Sequence, residues 1–302
     1  MGLLRTDIWR TGIIARPMSD ILARGTVEGL PVTWLPDQGA FRFLADPFGL
    51  WRDDRLHVFV EAYDYRDRIG RIEMFVLDRA LRLLDSRPVL SEPWHLSYPV
   101  VIEDGDAVYL LPEAHRSGRL SLYRAVSFPD RWMRVEDFAF PVAAIDASPL
   151  RVGDRWWIFF SPPGGSPADR QSLLHAAFAD SLLGPWRLHP ANPLRWDRSA
   201  ARPGGTPVIV DGRIILPTQD CSATYGGAIT PLTVTELGMA RVMTRPGPQI
   251  RPPSSWTPFT DGLHSLSAAG DVTLLDAKTI TRSPRRIAIE LARRGRRLIR
   301  NG

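Results

Sequence analysis

Ala45-Asp46-Pro47-Phe48-Gly49-Leu50, a polar turn Arg52-Asp53-Asp54-Arg55, and Leu56-His57-Val58-Phe59-Val60-Glu61 form two apolar runs joined by a tight turn. Acidic and glycine turns between apolar runs are the short-range signature of a β-hairpin. The pattern returns at Ser97-Tyr98-Pro99-Val100 with its partner run ending at Glu113, and at Asp146-Ala147-Ser148-Pro149 with a run ending at Ser161. It returns again at Gly204-Gly205-Thr206-Pro207 with a run ending at Gln219, and at His264-Ser265-Leu266 with a run ending at Asp276. Asp46 to Glu61, Tyr98 to Glu113 and Asp146 to Ser161 are each 15 residues apart, and the starts advance by 52, 48, 58 and 60 residues. That period is the size of a four-stranded propeller blade, and five units fill the chain. A β-sandwich would place turn signals at closer intervals and carry no such period.

The expected architecture is therefore an all-β, five-bladed β-propeller over residues 1–278, followed by a basic tail over 279–302. Outer strands are expected at 70–77, 119–124 and 172–177. The last hairpin has no outer partner of its own, so Ile8-Trp9-Arg10-Thr11-Gly12-Ile13-Ile14-Ala15 is expected to close the ring and remove an exposed edge. In the tail, Ser283-Pro284 reads as a helix cap followed by proline at the first helical position. Ile287, Leu291 and Leu298 then share a face among arginines, a pattern that suits an anionic membrane surface as well as a solvated terminus.

The chain has 302 residues, a formal charge of +5 and a pI near 9.8. Nucleic acid is not implied. Arg282 to Arg300 holds eight arginines against Glu290 alone, so the remainder carries 5 − 7 = −2. Cys221 is the only cysteine, which rules out an intrachain disulfide. No apolar run reaches the ~18–20 residues of a membrane span, and the first residues lack a signal-peptide core. A cytoplasmic protein, peripheral to membranes at most, is the expectation.

In a propeller the inner strands begin around the channel mouth, so Asp46, Tyr98, Asp146, Arg202 or Gly204, and His264 should converge. An Ala-Asp-Pro opening alone only starts a strand. Two such aspartates at equivalent places in different repeats point further, to a hydroxyl-rich or anionic ligand. Glu61, Glu113, Ser161, Gln219 and Asp276, with Asp220 beside Gln219, end the second strands and should orient the first set, with Glu61, Gln219 and Asp220 also candidate substrate contacts. The histidines show no metal-ligand spacing, and no P-loop, GxGxxG or GxSxG motif is present. Cys221 reads as packing, and most tryptophans as core between blades.

With Ala45-Asp46-Pro47-Phe48, Gly184-Pro185-Trp186, His189-Pro190 and Asn192-Pro193 in view, the chain resembles the five-bladed glycosidases of glycoside hydrolase family 43. It is more similar to the propeller found N-terminal in glucosamine inositolphosphorylceramide transferases and in bacterial polysaccharide-cluster proteins. Trp94-His95-Leu96-Ser97-Tyr98-Pro99, Leu111-Pro112-Glu113-Ala114, Phe128-Pro129-Asp130-Arg131-Trp132, Gln219-Asp220-Cys221-Ser222-Ala223-Thr224-Tyr225-Gly226 and Asp261-Gly262-Leu263-His264 carry that likeness, over roughly residues 8–278.

The resemblance implies a carbohydrate-active protein of surface-polysaccharide or glycolipid assembly. Asp46 would be the base, Asp146 would tune the acid, and Tyr98, Arg202 and His264 would contact substrate. It implies no cofactor, although some clan members hold a Ca²⁺ near the channel. The glycosidases' fourth-blade acid is missing, because Ala201-Arg202-Pro203-Gly204-Gly205-Thr206 offers no carboxylate. Glu113 or Glu61 would have to replace it, or the leaving group would need little protonation, as a phosphate does, with Arg202 stabilising it, or the site only binds a glycan, as a pseudo-hydrolase that positions it or a partner glycosyltransferase.

Overall fold

A computed structural model describes residues 4–300, with side-chain surroundings described as far as Arg293. Five antiparallel sheets form a five-bladed propeller. Blade I comprises Arg42–Arg52, Arg55–Asp64, Ile69–Leu77 and Leu83–Leu90. Blade II comprises Ser97–Asp104, Ala107–Glu113, Tyr123–Ser127 and Arg131–Arg134. Blade III is built on Ile145–Val152, Arg155–Ser161 and Leu173–Ala179, and blade IV on Val208–Val210, Arg213–Asp220, Ala228–Leu237 and Val242–Pro246. The outer strand of blade II starts later than its apolar pattern suggests. Leu120 and Leu122 are buried, but only Tyr123 onward enters the ladder.

Blade V draws on both ends of the chain. Gly262–Ala269 and Val272–Arg282 pair with each other, and the second of these pairs with Arg5–Ile14, which in turn pairs with Thr33–Trp34. The closing ladder runs from Arg5 opposite Arg282 to Ile14 opposite Thr273. The expected closure is present, and Val272–Arg282 extends past the boundary drawn at 278 because Thr279 to Arg282 are paired with Arg5 to Ile8. A helix, α1 (Met18–Arg24), packs Ile21 into the core, and a second, α2 (Arg285–Arg300), follows the last strand. Ser283 Oγ accepts the Arg285 N–H at the start of α2. Leu298 lies outside the residues whose side chains are described. No helix among the described residues is long and apolar enough to cross a membrane.

Apolar side chains fill the spaces between blades. Trp156, Phe160 and Trp186 pack with Tyr98 and Ile102, whereas Phe59, Met74, Leu96 and Leu110 join blades I and II. Trp156, Trp157 and Trp186 are core residues, but Trp196 is 74% exposed.

The inner strands share one irregularity. In blades I, II and III the ladder skips between Ala45 and Phe48, Ser97 and Val100, and Ile145 and Ser148. Asp46, Tyr98 and Asp146 lie in these gaps with φ of 50°, 47° and 50°. Blade V skips at His264, between Leu263 and Ser265. A bulge re-aims a side chain, and here it turns one residue per blade toward the axis. In blade IV the backbone itself approaches: Leu266 N–H donates to Gly204 O at 2.9 Å, and Thr206 N–H donates to Leu266 O at 3.3 Å. Gly205 has φ of 139°, and any Cβ there would run into the Leu266 backbone. Gly205→Ala should therefore lower unfolding stability by at least ~2 kcal/mol in urea denaturation, through strain and a backbone clash. Gly118→Ala, in open space at a turn, is the control and should lose less.

Candidate functional site

The residues singled out in each repeat do converge, and most of them hold one another. Asp276 is fully buried. Its Oδ1 accepts the His264 backbone N–H (3.2 Å), His264 Nδ1–H (2.7 Å) and Ser265 N–H (3.0 Å), while Oδ2 accepts Asp46 N–H at 2.8 Å. Asp46 Oδ2 accepts the Tyr98 N–H at 3.2 Å, and its Oδ1 lies 3.3 Å from His264 Nε2. Asp146 Oδ2 accepts Arg202 Nε–H at 2.7 Å and Gln219 Nε2–H at 2.9 Å. Gln219 therefore orients Asp146, as its strand-end position suggests.

Burial and charge set the protonation of this group. Burial, reinforced by Glu61, Asp276 and Asp146, pushes Asp46 well above the usual carboxylate range despite His264. Burial also raises Asp146 to about 6, with Arg202 opposing. Burial alone would lower the His264 imidazole, but Asp276 and Asp46 outweigh it and hold it above its ordinary value. His264 thus sits between Asp276 and Asp46 where its protonated form is favoured, and Asp276, held low by His264 despite its burial, is its main partner.

Two further carboxylates lie in the same field. Burial, with Glu113, Asp276 and Asp146, keeps Glu61 well above the usual range. Its neighbour His95 is pushed down to about 4 by burial, accepts Gly70 N–H at Nδ1 (2.8 Å), and presents Nε2 to Glu61 at 3.4 Å. Glu113 also resists ionisation through burial, but its hydrogen bond and charge pairing with His115 prevail and hold it low. Glu61 and Glu113 are therefore driven in opposite directions.

Two expected ligand contacts have other roles. The hydroxyl of Tyr98 is within 2.8 Å of Ser148 Oγ and accepts Gly205 N–H at 2.6 Å, so it spans blades II, III and IV inside the channel. Asp220 faces away, accepting Ser222 N–H (2.9 Å) and Gln249 Nε2–H (2.9 Å). Cys221 is buried packing. Asp46, His264 and Asp276 are close enough together to consider a cation. They do not fit Ca²⁺, which takes 6–8 oxygen ligands, because His264 is held as a hydrogen-bond donor and Asp276 is filled by four N–H groups.

Above this cluster opens a cleft of about 330 Å³ lined by Arg5, Asp7, Trp9, Phe43, Tyr63, Tyr65 and Tyr225. Trp9 stacks on His264 with ring centres 3.7 Å apart and planes at 16°. Tyr225 meets both rings edge-on and lies 5.1 Å from the Arg202 guanidinium. Lys278, the chain's one lysine, is buried 4.9 Å from the Trp9 ring centre and donates to Thr224 Oγ1 (3.2 Å) and Tyr225 O. Arg5 grips Asp7 through two hydrogen bonds of 2.7 and 2.9 Å. Sequence reasoning missed the cleft, because its aromatic residues come from three blades and form no motif. The legible signal was Trp9 in a strand already assigned to ring closure.

Residues 35–243 match the family described as glucosamine inositolphosphorylceramide transferase 1, N-terminal. The chain belongs to this family. It is 34% identical over 207 residues to glucosamine inositolphosphorylceramide transferase 1 of Oryza sativa subsp. indica, covering 67% of this chain and 28% of that protein. The Arabidopsis thaliana counterpart is 30% identical over 231 residues, covering 74% and 29%. The chain thus spans less than a third of the length of these relatives.

Among solved structures it is similar to a family 117 glycoside hydrolase of Zobellia galactanivorans (TM-score 0.56, 13% identity, 80% of this chain and 87% of that one). It is also similar to a family 43 β-xylosidase/α-arabinofuranosidase from a compost microbial metagenome (TM-score 0.57, 11% identity, 81% and 92%). At these identities the likeness establishes the fold shared with glycoside hydrolases. The family span covers blades I to IV, so Trp9, His264, Asp276 and Lys278 lie outside it.

The upward shift of His264 has a direct check. A histidine held above its ordinary value near ~6.5 adds stability in full below that value and loses it as pH rises through the folded value. NMR titration of His264 should give a midpoint above the ordinary value in wild type. It should move downward in Asp276→Asn, with stability falling less on the alkaline side. An unchanged midpoint would refute the shift.

Proposed function

We propose that the protein binds a glycan or glycolipid head group in the aromatic cleft at the channel mouth, serving surface-glycan or glycolipid assembly on the cytoplasmic side. One observation carries this. None of Asp46, Glu61, Glu113, Asp146 and Asp276 lines the cleft, whereas Trp9, Phe43, Tyr63, Tyr65 and Tyr225 do. Aromatic faces stack on the apolar faces of sugar rings, and the Arg5–Asp7 pair at the rim offers both charges to hydroxyl, amino or phosphate groups. The cleft volume is at the small end of ligand pockets, suited to one or two sugar units. The relatives' name joins glucosamine, an inositol phosphate and a lipid, which makes a sugar–inositol phosphate head group the first ligand class to test.

A second reading, chemistry at a glycosyl bond, is favoured by the opposite directions in which Glu61 and Glu113 are shifted, Glu61 upward by burial and Glu113 downward by His115. Paired carboxyl groups driven apart in this way are what an acid and a base require. Glu61 would then supply the proton that the fourth blade lacks, and Asp46 would anchor the sugar or activate its acceptor. Arg202 is already committed to Asp146 at 2.7 Å, which argues against its acting on a departing phosphate.

Calorimetry with soluble inositol phosphate, glucosaminyl inositol phosphate and neutral oligosaccharides separates the readings. Tyr63→Ala and Tyr225→Ala should each weaken binding about tenfold, a loss of one stacking contact. Asp46→Asn should retain binding, and mass spectrometry should find no product with either protein. A product made by wild type and lost in Asp46→Asn and Glu61→Gln would establish the second reading instead.

A further inference from the structure

α2 is amphipathic in an inverted sense. The last strand delivers the chain to the mouth end of the propeller, and α2 packs there through its charged residues. Glu290 is 7% exposed and pairs with Arg68 of blade I, with Arg286 (2.7 Å) and with Arg293 (3.0 Å). The buried Arg286 guanidinium lies 4.6 Å from the ring centre of Tyr65, a wall of the cleft. Ile287 and Leu291, one turn apart, look outward at 39% and 64% exposure, with Ala288 and Ala292 exposed beside them. A helix that served only to cover the protein would bury these side chains and expose the charged ones.

The surroundings say what this ridge meets. The segment from Arg282 to Arg300 carries +7, and its only acid, Glu290, is consumed by internal pairs. Beside the first turn of α2 opens a cleft of about 440 Å³, with Ile8, Phe41 and Phe259 among its lining and Arg285 at its edge. Exposed apolar side chains on a segment whose sequence is this positively charged match the layered chemistry of an anionic bilayer, where alkyl chains lie beneath phosphate oxygens.

We infer that α2 docks on an anionic lipid surface with its Ile287–Leu291 ridge in the interface, and that it turns the channel mouth toward the bilayer. The part concerning the mouth rests on the head-group reading above; the docking itself does not. A lipid-linked glycan would then reach the aromatic cleft without leaving the membrane, because Arg286 joins the docking helix directly to a wall of that cleft.

Vesicle sedimentation tests this on the full chain, with phosphatidylcholine vesicles and with phosphatidylcholine–phosphatidylserine vesicles. Wild type should bind the anionic vesicles, bind neutral ones much less, and be released by salt, since the attraction is screened over a Debye length of about 8 Å at physiological ionic strength. The double substitution Ile287→Glu/Leu291→Glu should lower anionic-vesicle binding at least ~tenfold, as two apolar contacts give way to two like charges. Both positions are exposed, so the thermal melt should be unchanged. Soluble head-group binding by the double variant should also match wild type, which separates loss of docking from loss of the cleft. Absence of wild-type vesicle binding, or equal binding by the double variant, would overturn the inference. So would a wild-type dimer that the double variant renders monomeric, since the ridge would then meet a second copy of this chain.

Discussion

The pairing of Arg5–Ile14 with Val272–Arg282 is the interaction on which the rest depends. Without it blade V would be a lone hairpin, and the ring would end in an open strand edge on each side of the gap. The ladder does more than close the ring. It sets Trp9 opposite Lys278 and Thr11 opposite Asp276, so the residues under the cleft are positioned by strand register. Thr11 Oγ1–H also reaches across to Leu44 O of blade I at 3.1 Å. The same strand leads the chain out at the mouth, where α2 begins.

Around the axis the blades are joined by polar contacts in unbroken sequence. Asp276 accepts from Asp46, Asp46 from Tyr98, Tyr98 meets Ser148, Asp146 binds Arg202 and Gln219, and Leu266 donates to Gly204. Recurrence of polar residues at equivalent bulges therefore has a structural cause. Each one clasps the next blade, and a buried carboxylate that accepts several N–H donors needs no catalytic role to be retained. Glu61 and Glu113 are different. Their partners are His95, in the segment leading into blade II, and His115, in Glu113's own loop, and neither closes a joint between inner strands. Burying a carboxylate is costly unless it is paired, and these two are not needed to hold the ring. They are the carboxylates on which the second reading, chemistry at a glycosyl bond, rests.

The propeller was legible because blade geometry is repetitive. A fixed hairpin length puts Asp46 and Glu61 at the same separation as Tyr98 and Glu113, and strand register preserves that spacing through wide sequence change. The convergence of Asp46, Asp146, Arg202, His264 and Gln219 followed from the repeat alone. Their contacts did not. Whether Tyr98 meets ligand or Gly205 depends on the depth of its hydroxyl in the channel, and Asp220 differs from Gln219 only in which side of one strand it faces. The cleft was hidden for another reason. Tyr63 and Tyr65 end one strand of blade I, Tyr225 sits in a blade IV loop, and Trp9 comes from the opposite end of the chain, so only the closed ring makes them neighbours.

The clasp and the cleft are separable parts of one molecule. The clasp uses backbone groups and short acids near the axis, whose geometry tolerates little change because each link serves two blades. The cleft uses larger side chains at the mouth, and three of its seven, Arg5, Asp7 and Trp9, belong to the closing strand beyond the span that matches the family. On the proposed reading, a different closing strand would leave every acidic link in place, Asp276 on the partner strand included, and still change what the cleft accepts. If the cleft holds the ligand as proposed, selectivity is concentrated at the seam where Arg5–Ile14 meets Val272–Arg282. That is also the point from which α2 departs, so the proposed recognition of a head group and the inferred approach to its lipid surface would be governed by the same short stretch of sheet.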